Sequence, residues 1–124
     1  MLVQLRRNRI VNDDAQLSIT QLDSSLQHKA VEDFAAFYLP LFDANNLEMM
    51  SNYDVASYMT DINEHLTYGR YMTKAQRLSD TVSFSFTAYV NLIDRLDQQY
   101  FTSGNPALPW NEWLAAKFAQ TATS

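Results

Sequence analysis

Residues 73–101 read TKAQRLSDTVSFSFTAYVNLIDRLDQQYF, and this stretch decides the fold. Its opening, Thr73-Lys74-Ala75-Gln76, has the T-x-x-Q form of a capping box, in which a threonine hydroxyl and a glutamine amide take up backbone N–H groups that a helix start leaves unpaired. From there Ala75, Leu78, Val82, Phe86, Tyr89, Leu92, Ile93, Leu96 and Tyr100 fall in one sector at 100° per residue, with Asp80, Thr87, Asn91, Asp94 and Gln98 opposite. The pattern predicts one helix over residues 74–101 with one buried face. At 1.5 Å per residue it is roughly 40 Å long, longer than a small domain is wide, so it serves as a spine along which other helices pack. Phe84 lands among the polar positions, and its ring needs a second cover, either from this chain or from a partner.

Upstream, Val55, Tyr58, Met59, Ile62 and Leu66 form the stripe of a helix over residues 52–68, opened by Ser51 with Asp54 three residues on. Gly69 stands where a left-handed helix cap is easiest, and the short bridge to Thr73 makes this helix a neighbour of the spine. Further back, Leu22, Leu26, Ala30, Phe34, Phe37 and Leu41 recur at steps of three and four. A cap is expected at Thr20, and Pro40 is expected to end or kink this helix near Leu39. Residues 41–50 read as a connector that turns at Asn45-Asn46 and sends Leu47, Met49 and Met50 toward the core. Downstream of the spine, a turn-rich loop over residues 102–109 ends at Pro109, which suits the first position of a last helix carrying Trp110, Trp113, Leu114 and Phe118.

Composition supports helices: two Gly and three Pro in 124 residues leave few tight turns, and a hydrophobic content of 47% is enough for one core. The expected architecture is all-α, a small bundle of about four helices around the central one, spanning residues 15–120. An extended basic arm over residues 1–14 precedes it, and a polar tail over 121–124 follows. The arm holds Arg6, Arg7 and Arg9 with no acid in its first eleven residues, so the remainder carries six basic against fourteen acidic residues, net −8. That balance argues against a nucleic-acid binder, except through the arm or a local face, since three arginines neutralise only about three phosphates. No cysteine is present, which excludes disulfides and thiolate metal sites. No apolar run reaches the ~18 residues of a membrane helix and the N-terminus lacks a signal-peptide core, so the expectation is a soluble, cytoplasmic protein, in a host cytoplasm or a virion if its origin is a phage.

The search for chemistry is mostly negative. His28 and His65 are the sequence's two imidazoles, each with a carboxylate at helical spacing, Glu32 and Asp61, but a metal needs three or more converging ligands. Two glycines are too few for a phosphate-cradling loop, and the paired acids Asp94/Asp97 and Asp13/Asp14 read as a charged helix face and a turn. No catalytic, cofactor or metal residues are assigned, and the expected protein is not an enzyme. Candidate partner-binding residues are Arg6, Arg7, Arg9, Phe84, Trp110 and Trp113, although a tryptophan pair on a terminal helix commonly docks on its own core. The sequence therefore suggests a helical protein–protein interaction module, an accessory or inhibitor protein of phage, viral or plasmid origin docking on a larger complex. The alternatives are a structural subunit of a phage-type assembly, such as a connector or tail component able to form homo-oligomers, and an acidic nucleic-acid mimic.

Overall fold

Five α-helices are formed among residues 16–123, the part of the chain that the computed structural model describes: α1 (Ser24–Asp43), α2 (Ala56–Tyr68), α3 (Lys74–Phe84), α4 (Phe86–Arg95) and α5 (Trp110–Thr123). One 3-10 turn, Ile19–Gln21, precedes α1 and another, Glu48–Tyr53, links α1 to α2, and the described residues include no strand. The expected arm, with Arg6, Arg7 and Arg9, lies outside the described residues.

The capping box at Thr73 is formed, with Gln76 N–H donating to the Thr73 hydroxyl and Thr73 N–H to the Gln76 amide oxygen. The single long spine is not. The chain bends at Ser85, whose φ of −108° and ψ of 24° leave helical values, although Ser85 N–H still reaches Thr81 O and Tyr89 N–H reaches Ser85 O. Serines and β-branched residues crowd this point (Thr81, Val82, Ser83, Ser85, Thr87), and they hold a helix less firmly than alanine or leucine. A hydrogen bond between the buried hydroxyls of Thr81 and Tyr89, 2.8 Å, spans the bend and fixes it.

The spine also stops six residues early. Asp97 takes the left-handed conformation, φ 61°, and the chain then runs extended so that Tyr100 pairs with Leu17 on one side and Pro106 on the other. Tyr100 is buried as its place in the stripe demands, by a different route. Gln98, expected on the polar face, is buried as well: its amide accepts from Leu108 N–H and donates to Leu108 O, clamping the loop before α5. Ala75, at the first position of the stripe, is exposed.

α1 is capped by Asp23, which accepts from Leu26 N–H at 2.9 Å, while the Ser18/Gln21 pair opens the preceding 3-10 turn; Thr20 caps neither. Pro40 does not end α1. It sits on the exposed side of the last turn, and Ala36, whose carbonyl its missing N–H would have met, is an exposed residue too. The helix closes at Asn45, φ 56°, with Asn46 N–H reaching back to Leu41 O and Asn45 N–H to Phe42 O, the paired bonds of a Schellman motif. α2 starts at Ala56, later than expected, because Asp54 adopts a left-handed conformation after the 3-10 turn. Gly69 ends α2 at a φ of −95°, not the left-handed cap expected of it.

α1 packs on α3 and α4, α2 on α4 and α3, and α5 on α1 and the second 3-10 turn. Phe34 of α1 sits at the centre, with the rings of Phe37, Tyr38, Tyr89 and Trp110 at centroid distances of 4.7–6.0 Å. Tyr38 then donates to Asn63 Oδ1 at 2.7 Å, tying α1 to α2 through the only polar atom of its side chain. No helix among the described residues is long and apolar enough to cross a membrane.

Candidate functional site

The bend at Ser85 sets two aromatic rings against two different helices. Phe86 stacks on His28 of α1, with ring centroids 5.8 Å apart, and Phe84 stacks on His65 of α2, 3.8 Å apart and 8° from parallel. Each imidazole has a carboxylate partner. His28 lies 3.6 Å from Glu32 on its own exposed helix face, the pairing expected from spacing. His65 does not use Asp61; its Nε2 hydrogen-bonds Oδ2 of Asp80 across the α2–α3 interface. Helical spacing on α2 could not reveal a partner that only the α2–α3 packing supplies.

Among the expected partner-binding residues, Phe84 is 72% exposed, and the two tryptophans are each 4% exposed. The indoles pack edge to face at 5.5 Å, Trp110 against Phe34 and Phe37, and Trp113 against Tyr53 beneath the Lys117 ammonium. Their apolar surface is taken up within this chain. Phe84 is not alone outside: Tyr68 at 74% and Tyr71 at 84% are exposed near the same end of α2. Neither tyrosine stands out in the sequence: Tyr68, the last residue of α2, falls off its stripe, and Tyr71 lies in the bridge between Gly69 and Thr73.

Between α2 and the α3–α4 bend runs a groove of 480 Å³ lined by Tyr58, Asp61, Glu64, His65 and Tyr68 on one side and Phe84, Ser85, Thr87, Ala88 and Asn91 on the other. Its lining includes no lysine or arginine. A histidine held by a carboxylate is also two members of the set that activates a hydroxyl nucleophile, but among the described residues His65 hydrogen-bonds Asp80 and no hydroxyl, and its ring face is covered by Phe84. Among the described residues no three His, Asp or Glu side chains converge as a metal site would require.

The chain matches no family model, no curated protein and no solved structure.

Elsewhere the ionisable groups serve packing. Arg77 on α3 makes a two-pronged bond to Asp43 at the end of α1, both contacts at 3.1 Å, and these hydrogen bonds hold the Asp43 carboxyl below its usual range. Burial pushes the Tyr89 phenol up to about 12 and raises Tyr38 and Tyr100 further. For Tyr100 the charge of Asp33 adds to burial and the Trp110 indole opposes it, yet neither the hydroxyl nor the indole N–H has a hydrogen bond of good geometry.

Proposed function

We propose that this chain is a non-catalytic protein–protein interaction module that docks on a larger protein through the face around Phe84. The exposure of Phe84 and Tyr68 along one groove carries the reading. Large aromatic side chains left in water beside a structured groove cost solvation free energy that an interface recovers, and aromatic residues supply most of the affinity at interfaces where they are buried. The stack of Phe84 on His65, itself held by Asp80, fixes the ring before any partner arrives, so little side-chain freedom remains to be lost on binding. The tryptophans, already packed inside the chain, support the core and not the interface.

The test compares the wild-type chain with a Phe84→Ser/Tyr68→Ser variant as bait in extract of the native host, with solution mass measured for both. Exposed positions of this kind change stability by about 0.5 kcal/mol or less, so the variant should melt with the wild type. A partner retained in stoichiometric amount by the wild type and lost by the variant is the expected result. A partner held equally by both would put docking on another surface, and a defined ring of wild-type chains would favour a structural subunit instead.

A further inference from the structure

We propose that the groove between α2 and the Ser85 bend receives an arginine- or lysine-bearing segment of the partner protein, seating the cationic group among Tyr58, Tyr68 and Phe84 and against the carboxylates of Asp61 and Glu64. The proposal rests on the docking role of this face and names the chemistry of what docks there. The rings of Tyr58, Tyr68 and Phe84 and two acids line one groove; its one histidine, His65, is engaged by Asp80, and no lysine or arginine lines it to compete. The carboxylates of Asp61 and Glu64 make no ion pair or hydrogen bond among the described residues, unlike Asp80, Asp43 and Asp54, which are each paired. A guanidinium or ammonium within about 6 Å of an aromatic face is attracted by the ring quadrupole, and a nearby carboxylate adds a charge-assisted hydrogen bond. A neutral apolar segment would bury the rings but would also strip water from two unpaired acids, which is costly.

The experiment titrates the full-length, nitrogen-15-labelled chain with the peptide acetyl-Gly-Arg-Arg-Gly-Arg-Gly-amide and with the same peptide carrying citrulline, a neutral isostere, at each arginine. Amide shifts confined to α2 and the Ser85 region, with at least tenfold weaker binding of the citrulline peptide, are expected. Asp61→Asn/Glu64→Gln should weaken the arginine peptide at least fivefold and flatten its salt dependence at an unchanged Tm. Equal binding of the two peptides would overturn the cationic assignment while leaving the docking face to be judged by the Phe84/Tyr68 comparison. Shifts elsewhere on the acidic body, or none at 2 mM peptide, would overturn it too. A tenfold gain in peptide affinity on Arg6→Ala/Arg7→Ala/Arg9→Ala would show that this chain's own arginines fill the groove, and the partner assignment would fall.

Discussion

Single residues show where backbone conformation and charge constrain this chain. Its two glycines look alike in the sequence and differ in the fold. Gly104 sits at a φ of 90°, and a β-carbon there would lie 2.9 Å from Leu26 Cδ2, whereas at Gly69 φ is −95° and the nearest atom, Met72 Sδ, would be 3.6 Å away. Gly104→Ala is therefore expected to cost about 1–3 kcal/mol, and Gly69→Ala to be neutral or to stabilise by about 0.5 kcal/mol through the unfolded chain; urea titrations of both variants read the difference. At Asp43 the constraint is electrostatic. Its folded pKa lies below the unfolded one because of Arg77, so the pair's contribution is present above about pH 4 and lost as pH falls through the folded value. Asp43 is half exposed, which keeps the contribution near 1 kcal/mol despite the mostly buried guanidinium. Asp43→Asn should accordingly destabilise at pH 7 and converge on the wild type only as pH falls through the lowered folded value; a gap that does not narrow at all between pH 7 and the acid limit of folding would assign the loss to something other than the charge.

Among the elements, the bend that divides the expected spine decides what the molecule presents, and it rests on one buried hydrogen bond. Tyr89→Phe leaves the Thr81 hydroxyl buried without its partner and should cost about 1–3 kcal/mol, while Thr81→Val/Tyr89→Phe, which removes both polar groups, should recover part of that loss. Additive losses in this cycle would mean that the hydroxyls act separately. The bend also marks how far the sequence could be read. The stripe from Leu78 to Leu96 and the misfit of Phe84 were legible because burial follows helical period whether or not the helix is straight. The break at Ser85 was not, since no glycine or proline signals it and i to i−4 bonds continue on both sides. Nor was the stop at Asp97, because an aspartate in a left-handed conformation is chosen by the tertiary pairing of Tyr100 with Leu17 and Pro106. Pro40 misled in the opposite sense: a proline in an exposed last turn costs one solvent-accessible bond, too little to end a helix held by Phe34, Tyr38 and Leu39. The groove beside the bend was half visible, as Phe84, and its other wall depends on which face of α2 meets the bend.

For the molecule as a whole, a core built from tyrosines makes stability sensitive to alkali. Tyr38, Tyr89 and Tyr100 are fully buried, and burial raises all three phenols above the ordinary value near 10. For a raised pKa the contribution to stability is complete below the unfolded value and lost as pH climbs through the folded one, because the unfolded chain releases its protons first. Each phenol then removes roughly 1.4 kcal/mol per pH unit above pH 10, so three together would exhaust the ~5–15 kcal/mol of a small domain within a few units. The three hydroxyls are not equivalent. Those of Tyr38 and Tyr89 have hydrogen-bond partners, Asn63 and Thr81, whereas that of Tyr100 has none of good geometry. Tyr100→Phe should thus leave stability at pH 7 unchanged or slightly raised, since it removes a buried polar group that gains nothing, and should shift alkaline unfolding to higher pH. Phenolate absorbance and helical circular dichroism, followed together from pH 9 to 13, test this. In the wild type the last phenols should ionise only as the helices melt, and in Tyr100→Phe both signals should move upward together. A Tyr100→Phe chain that loses more than about 1 kcal/mol at pH 7 would mean that the hydroxyl is held in solution, most directly by the Trp110 indole N–H.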